Sequence, residues 1–262
     1  MDPERHAHGS VTPAASIPSE EGAALLANIR IVLVEPQHSG NIGAVARAMK
    51  NMALTHLVLV NPAEHLALEA RMMAMHALDL LQQARVCASL PEAIDDASVV
   101  IGTTRRLGKV RQVHLHPREM APRLIALAQA NPVALIFGRE VSGLSNAELQ
   151  CCHEVLTIPA HPTFGSLNLA QAVLLVCYEL YLATADPPRS PAPPLATIAE
   201  LERFYAYLHR LLLRVGFLHG SNPERMLGYF RRFFARRELA SRDVKVFLGV
   251  FRQIEWYLDR RA

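Results

Sequence analysis

Two short segments place polar residues where a buried strand ends and where a helix begins. Val133–Phe137 is an apolar run typical of a buried strand, and it stops at Gly138–Glu140. Ser166 precedes an apolar run from Leu167 to Tyr178 that predicts a helix with Ser166 as its N-cap. Helix N-termini attract anions and polar ligands, and open α/β sheets bind ligands at strand ends. Together the two segments predict a ligand site.

A third segment has the same character. The apolar run Ile31–Glu35 is followed by Pro36–Met49, in which Asn41 and Arg47 lie on the helix that follows the strand. Taken alone, Asn41 is a helix cap and Arg47 an exposed helical arginine. Their chemical interpretation therefore depends on the other two segments.

The three segments together resemble the motifs of one enzyme family. The sequences SGNIGAVARAMKNM, LIFGREVSGLSNAEL and IPAHPTFGSLNLAQAV resemble motifs 1, 2 and 3 of the SPOUT methyltransferases. Within that family they are most similar to the bacterial TrmJ-type tRNA 2′-O-ribose methyltransferases. The resemblance runs from about Ile29 to Tyr181 and resumes near the C-terminus. Three ordered motifs at matching spacing are a specific signal, whereas any one alone is weak.

The resemblance implies a reaction and a set of reacting groups. A ribose 2′-hydroxyl of tRNA attacks the methyl carbon of S-adenosylmethionine in line, and the expected target is cytidine or uridine at position 32 of the anticodon loop. An arginine keeps its proton at neutral pH, so we expect Arg47 to orient phosphate and polarise the nucleophile rather than act as a base. Glu140 could stabilise the sulfonium cation electrostatically. The alternative is that Arg139 or Glu140 forms a structural ion pair. The implied catalytic residues are Arg47, Asn41, Glu140, Ser166 and Asn168.

The resemblance also implies a cofactor pocket built from three loops. A strand ends at Gly102, and the polar residues after it fall where the family has its first cofactor loop. Gly138 has no side chain and should permit close approach of the backbone to a ligand. The implied S-adenosylmethionine-binding residues are Thr103, Thr104, Arg105, Gly138, Ile158, Ser166, Leu167 and Asn168.

Other functions are left open or lose their support. The same chemistry could act on another RNA, such as ribosomal RNA, and a catalytically silent RNA-binding module is a second alternative. The sequence Gly40–Gly43 is neither a P-loop nor a dinucleotide-binding fingerprint, which weakens nucleoside triphosphate and NAD sites. We expect no metal site, because His114–His116 and Cys151–His153 lack a second ligand pair at zinc spacing.

The order of predicted elements indicates the fold class. Strand-like apolar runs alternate with helical segments, which is typical of βαβ units and a mostly parallel α/β sheet covered on both faces. The resemblance implies a SPOUT fold whose C-terminal segment, within about Phe137 to Leu180, is threaded into a trefoil knot. The predicted strands are Ile31–Glu35, His56–Val60, Ala84–Ala88, Ser98–Gly102, Val133–Phe137 and Val155–Ile158. The predicted helices between them are Asn41–Met52, Leu66–Leu81, Pro91–Ala97, Pro117–Ala130 and Ser145–Gln150.

Composition divides the chain into four parts. Residues 1–28, rich in Pro, Ser, Ala and Glu, predict a disordered tail, and residues 29–183 form the methyltransferase domain. Residues 184–196 are a Pro-rich linker, and residues 197–262 predict a small all-α domain. No apolar run reaches the roughly 18 residues of a membrane span, so no membrane partner is expected. The four cysteines contain no C-x-x-C pair, which favours reduced thiols and a cytoplasmic location.

Charge is distributed unevenly along the chain. Residues 195–262 hold 13 Lys+Arg against 7 Asp+Glu, a net charge of +6, whereas residues 1–194 hold 14 against 17, a net charge of −3. A solvated helical surface is the ordinary explanation, but the split in sign favours an anionic polymer such as tRNA.

The resemblance also implies a homodimer, paired through the helices Asn41–Met52 and Leu167–Tyr181. The expected RNA-binding residues are Arg106, Lys109, Arg111, Arg231, Arg232, Arg236 and Arg237.

Overall fold

A sheet of seven parallel strands organises the molecule. The computed structural model describes residues 20–105, 114–186, 192–218, 223–235 and 238–260. The sheet order is β3-β2-β1-β6-β4-β7-β5, and every pairing within it is parallel. The strands are β1 (Ile29–Val34), β2 (His56–Val60), β3 (Arg85–Cys87), β4 (Val99–Thr103), β5 (His114–Leu115), β6 (Val133–Phe137) and β7 (Glu154–Leu156).

Helices cover both faces of the sheet and continue beyond it. In the first half they are α1 (Glu20–Ala24), α2 (Ser39–Asn51), α3 (Leu68–Ala74), α4 (Leu78–Gln82), α5 (Leu90–Ile94) and α6 (Pro117–Ala128). In the second half they are α7 (Asn146–Gln150), α8 (Leu169–Ala183), α9 (Ile198–Arg214), α10 (Pro223–Ala235) and α11 (Ser241–Asp259). The predicted parallel α/β class is confirmed, and so is the C-terminal helical region.

The continuous apolar strands are explained by burial on both faces. In β1, Ile31 and Leu33 belong to one core cluster, while Val32 and Val34 belong to the cluster on the opposite face. Successive side chains of a strand point to opposite faces, so a strand covered on both sides needs apolar residues at every position.

Close packing holds α2, the helix that carries the first motif, in place. This helix packs against α3 on one side and α8 on the other. A Cβ on Gly43 would lie 2.0 Å from the carbonyl oxygen of Ala70, so only glycine allows α3 to approach this closely. The first and third motifs are therefore held on adjacent helices.

Two predictions of local structure are wrong. Residues 20–28, expected in a disordered tail, form α1 and a short 3-10 helix, because Leu26 is fully buried in the core. The single helix expected over Leu66–Leu81 is broken at Met75, which has φ 52° and ψ −117°. A 3-10 turn over Met75–Ala77 then leads into α4. Apolar periodicity continued through the break and concealed it.

The start of α8 also differs from expectation. Asn168, not Ser166, is the N-cap, and its side-chain oxygen accepts hydrogen bonds from the N–H groups of Ala170 at 2.9 Å and Gln171 at 3.4 Å. Asn168 remains extended, with φ −58° and ψ 147°, so the helix begins two residues later than the apolar run suggested. Ser166 is thereby left free to line the pocket described below.

The C-terminal helices form a small core of their own and dock on the sheet domain. Phe204, Leu208 and Phe251 belong to this core. Docking involves Leu195, which is buried in the main core, and whose N–H donates to the Asn131 side chain at 2.7 Å. Arg123 joins Glu154 of the sheet domain, at 2.5 Å, to Glu238 of the helical region. The described end of the Pro-rich segment is thus packed rather than a free tether.

No helix in the described ranges is both long enough and apolar enough to cross a membrane.

Candidate active site

The loops after β4 and β6 and the segment after β7 enclose a cavity of about 410 Å³. These three strands are neighbours in the sheet, so their carboxyl ends meet at one edge. Seven of the eight predicted cofactor residues line the cavity: Thr103, Thr104, Arg105, Gly138, Ile158, Ser166 and Leu167. Lining residues that the sequence did not single out include Ser142, Gly143, Leu156, Leu169 and Ala172.

Hydrogen bonds connect the three motifs at one point. The Asn41 Nδ2 group donates to Glu140 Oε1 at 2.9 Å, and Asn168 Nδ2 donates to Asn41 Oδ1 at 2.9 Å. Asn41 is therefore not a helix cap, since the N-cap of α2 is His38. It lies in the first turn of α2 and bridges the second and third motifs. This trio, Asn41, Glu140 and Asn168, adjoins the cavity because Glu140 lines it.

The Glu140 carboxylate is fully engaged by donors. Besides Asn41, it accepts from the N–H groups of Gln37 at 2.9 Å and His38 at 3.2 Å. Partial burial raises the pKa of Glu140, but the hydrogen bonds from Asn41, Gln37 and His38 outweigh it, so the net pKa is lowered. Glu140 is ionised at neutral pH and holds the start of α2 in place.

Arg139 forms the ion pair that the sequence left open. Its Nε lies 2.7 Å from Glu35 Oε2, and its Nη2 lies 3.0 Å from Glu148 Oε1. The hydrogen bonds that it donates to the carboxylates of Glu35 and Glu148 raise the pKa of Arg139. No salt bridge joins Glu140 to any residue in the described part of the chain. The two charges of the second motif therefore have different roles.

Gly138 is required for a reason other than the one expected. A Cβ at this position would lie 2.2 Å from the Gly143 carbonyl carbon and 2.3 Å from the Leu144 nitrogen. Its missing side chain thus makes room for the protein's own loop, which turns at Gly143 with φ 66°. Gly138 still lines the cavity, so close approach to a ligand remains a prediction.

Arg47 lies on the exposed surface of α2, outside the cavity lining. It makes no hydrogen bond or salt bridge with any residue that the structure describes. Six residues of helix separate it from Asn41, about 9 Å along the axis, and helical side chains lean toward the N-terminus. Its exposed guanidinium is therefore available to an incoming anion.

The predicted RNA-binding residues are only partly visible. Arg106, Lys109, Arg111, Arg236 and Arg237 lie outside the described residues, and only the backbone of Arg232, in α10, is described. Arg231 pairs with Glu202 and stacks on the Tyr205 ring at 4.5 Å. A phosphate would have to compete with Glu202 for this arginine.

Two of the histidines considered as metal ligands have structural partners. His116 Nδ1 lies 3.1 Å from the Thr157 carbonyl oxygen, and His153 Nδ1 accepts from the Val100 N–H at 3.0 Å. Across the described ranges, no three His, Cys, Asp or Glu side chains are grouped so as to hold a metal ion.

Sequence reasoning missed Glu35 and Glu148, the two partners of Arg139. Each carries a local signal that was available. Glu35 directly follows an apolar strand, and Glu148 stands three residues after Ser145, a capping-box spacing. That both would face the same arginine is decided by the fold.

Family models match two regions of the chain. Residues 28–178 match the model described as the SpoU rRNA Methylase family. Residues 199–262 match the model of the tRNA methyltransferase TrmJ C-terminal domain. The two matches correspond to the sheet domain and the helical region.

Similar proteins and structures were found over most of the chain. The tRNA (cytidine/uridine-2'-O-)-methyltransferase TrmJ of Salmonella typhimurium is 42% identical over 240 residues, which cover 88% of this chain and 98% of that protein. The crystal structure of TrmJ from Z. mobilis ZM4 has a TM-score of 0.74 at 32% identity, covering 86% of this chain and 98% of the other. A probable methylase family protein from Haemophilus influenzae Rd KW20 has a TM-score of 0.60 at 38% identity, covering 90% and 100%.

Proposed function

This chain belongs to the SpoU methylase family and carries a TrmJ-type C-terminal domain, and on that premise we propose that it transfers a methyl group from S-adenosylmethionine to a ribose 2′-hydroxyl of tRNA. The observation that carries the proposal is the hydrogen-bonded trio Asn41, Glu140 and Asn168, which brings all three motifs to the edge of one cavity. Relatives at 40–42% identity named as tRNA (cytidine/uridine-2'-O-)-methyltransferases support the reaction class.

The cavity fits the cofactor in size and in chemistry. Its volume of about 410 Å³ lies within the range of roughly 300–1,000 Å³ usual for cofactor sites. Leu156, Ile158 and Leu169 offer apolar surface for an adenine ring, and Ser166 offers a hydroxyl group. The Thr103 hydroxyl donates to the Ile136 carbonyl at 2.9 Å, so it can offer only an acceptor. When bound, S-adenosylmethionine supplies an electrophilic methyl group on a positively charged sulfur.

The protein's own residues contribute position and charge. Glu140 fixes Asn41, and Asn41 in turn holds Asn168, so two amide side chains are presented in set orientations. Arg47, on the same helix as Asn41, orients the phosphate beside the target ribose and lowers the cost of charge developing on its 2′-oxygen. Holding the nucleophile in line supplies much of the rate of such a transfer, without a covalent protein intermediate.

The target nucleotide is the finer part of the proposal. We place it at position 32 of the anticodon loop, as cytidine or uridine. Transfer of a tritiated methyl group to tRNA transcripts that differ only at position 32 tests this directly. Retained label after a 2′-deoxy substitution at position 32 would exclude that site. Label incorporated into ribosomal RNA instead would favour the alternative substrate, which the family model's own description supports.

We also propose that the protein works as a homodimer. The predicted pairing helix α8 exposes Leu174, Leu175 and Tyr178, and α3 on the other side of α2 exposes Leu68 and Met72. These side chains flank α2, whose own apolar residues are already buried against the sheet. Exposed apolar side chains on two helices that both pack against α2 support a protein interface on this side of the molecule. Sedimentation velocity showing an active monomer at assay concentration would contradict the dimer.

The helical region is proposed to bind the tRNA rather than to perform chemistry. Its net charge of +6 supports this, although Arg210, Arg214 and Arg231 are already paired with acidic side chains. Arg242 and Lys245 are exposed on α11 and form no salt bridge with a described residue, which makes them further candidates for phosphate contacts.

We also propose a trefoil knot and a cytoplasmic location. The trefoil knot within about Phe137–Leu180 is supported by β7 lying between β4 and β5, and by the return of α8 onto α2 and α6. A cytoplasmic location is supported by the tRNA substrate and by the four cysteines, none of which is in a disulfide bond in the described part of the chain.

A further inference from the structure

The loop that follows β6 borders the cofactor cavity but has little apolar anchoring. Residues 139–143 all line the cavity, and Val141 at the crest is 88% exposed. Leu144, at the end of the loop, is buried. Between β6 and Leu144, the shape of the loop must therefore depend on polar contacts.

Several of those contacts come from the guanidinium of Arg139. Its Nη1 donates to the Gly143 carbonyl at 3.4 Å and to Glu148 Oε2 at 3.1 Å, while Nη2 donates to Glu148 Oε1 at 3.0 Å. The Gly143 N–H closes the turn by donating to the Arg139 carbonyl at 2.9 Å. The two-pronged contact with Glu148 fixes the guanidinium plane, and with it the loop.

The third arm of Arg139 reaches the segment that leads into the first motif. Its Nε donates to Glu35 Oε2 at 2.7 Å. Glu35 has φ 47°, an uncommon conformation for a residue with a side chain, so its backbone is held by its surroundings. The chain then runs through Pro36 to Gln37 and His38, whose N–H groups bind Glu140. Arg139 thus contacts both the cofactor loop and the segment that sets Asn41.

We propose that Arg139 is a positioning residue that couples the cofactor pocket to the methyl-transfer trio, through Glu148 and Gly143 on one side and Glu35 on the other. The proposal rests on the methyltransferase function proposed above. It assigns separate consequences to the two arms: loss of the Glu148 arm loosens cofactor binding, and loss of the Glu35 arm slows transfer.

A set of full-length variants separates these consequences. Arg139→Lys keeps the charge but cannot make a forked contact with Glu148 while also reaching Glu35. We expect its dissociation constant for S-adenosylmethionine, measured by calorimetry, to rise about tenfold. Glu35→Gln should leave that constant within about twofold and lower kcat for tRNA roughly fivefold, since a neutral amide makes a weaker contact. The matched control is Arg85→Gln, on the edge strand β3 and outside the cavity lining. Its guanidinium donates to the Glu92 carbonyl and lies 3.9 Å from Asp95 and Asp96, so the substitution should change neither value.

A neutral pair distinguishes positioning from simple charge compensation. Arg139→Met combined with Glu148→Gln removes both charges, while glutamine at 148 can still form the capping box with Ser145. Positioning predicts that cofactor affinity stays low in this double variant. Recovery of wild-type affinity would show that Arg139 only neutralises Glu148, and it would overturn the proposal.

Two other results would overturn it as well. One is that Arg139→Lys lowers the melting temperature but leaves cofactor affinity and kcat unchanged, which would show that Arg139 has a purely structural role. The other, decisive if the Arg139 variants do not fold, is Glu35→Gln with unchanged kcat. Failure of the proposed function would give a different result. The wild-type chain would then bind S-adenosylmethionine but methylate no tRNA, and the dissociation constants of the variants for S-adenosylmethionine could still be compared.

Discussion

Replacing Glu140 with glutamine tests the central hydrogen-bonded trio. The carboxylate accepts three hydrogen bonds, from Gln37, His38 and Asn41. Glutamine has one acceptor oxygen, so its NH₂ group must face at least one N–H donor. Hydrogen bonds to charged groups contribute about 1.5–3 kcal/mol each when buried. Because Glu140 is only partly buried, water screens the loss, and we expect about 1–2 kcal/mol of lost stability. This corresponds to a fall in melting temperature of roughly 2–8 °C.

The pH dependence gives the sharper test. The pKa of Glu140 in the folded protein lies below its ordinary value of 4.5. Its stabilising contribution is therefore fully present above that value and is lost as pH falls through the folded pKa. The difference in melting temperature between wild type and Glu140→Gln should be largest near pH 7 and shrink below about pH 4.5. The matched control is Glu179→Gln, which removes a pair with the exposed Arg118 and should lower the melting temperature less, because water screens this pair.

Calorimetric melting at several pH values and methyl transfer at pH 7 provide the measurements. We also expect kcat to fall about tenfold, or roughly 1.4 kcal/mol, because Asn41 loses its fixed orientation. A melting difference that is absent at pH 7, or that stays constant into acid, would refute the account of Glu140 as an ionised anchor for the first motif.

Three other changes test different parts of the structure. Arg47→Ala should leave folding and calorimetric cofactor affinity intact and lower methyl transfer about 100-fold, as for loss of one donor to a developing anion; an equal loss of cofactor affinity would instead place Arg47 in the cofactor site. Arg242→Gln combined with Lys245→Gln should lower the log–log salt slope of tRNA binding by roughly 1.4–1.8, at 0.7–0.9 per phosphate contact. The control Arg214→Gln, which removes a residue already paired with Asp259, should change the slope less. Equal slopes in the two variants would argue against phosphate contacts at Arg242 and Lys245. Met75→Gly should raise the melting temperature. Glycine relieves about 1–3 kcal/mol of backbone strain at this position and costs only about 0.5–1 kcal/mol in chain entropy. A lower melting temperature would show that the conformation of Met75 is not strained.

Much of the fold could be predicted from local sequence. Val133–Phe137 and His56–Val60 were predicted with the bounds that the structure shows, because a continuous apolar run between polar residues is a complete local signal. The helical character of the C-terminal region was likewise predicted correctly. The loops of the cofactor cavity were identified by their place at strand ends and by the resemblance of three motifs.

Local signals failed where backbone geometry departed from the periodic pattern. Met75 interrupts a helix without any glycine or proline to mark the break, and the strain is tolerated because α3 is held against α2. Ser166 has the residue type of an N-cap, yet Asn168 takes that place two residues later. In both cases packing, rather than propensity, chose the conformation.

By itself, the sequence determined which residue types and motifs this protein has, and hence its class of chemistry. Only the tertiary structure decided which of them meet. Asn41 is 99 residues from Glu140 and 127 from Asn168 in the chain, yet each pair lies 2.9 Å apart. Propensity and periodicity act over a few residues, whereas such contacts follow from the order of strands in the sheet. For the same reason the sequence left Arg139 and Glu140 as equal candidates for an ion pair, and the placement of Glu35 and Glu148 around Arg139 distinguished them.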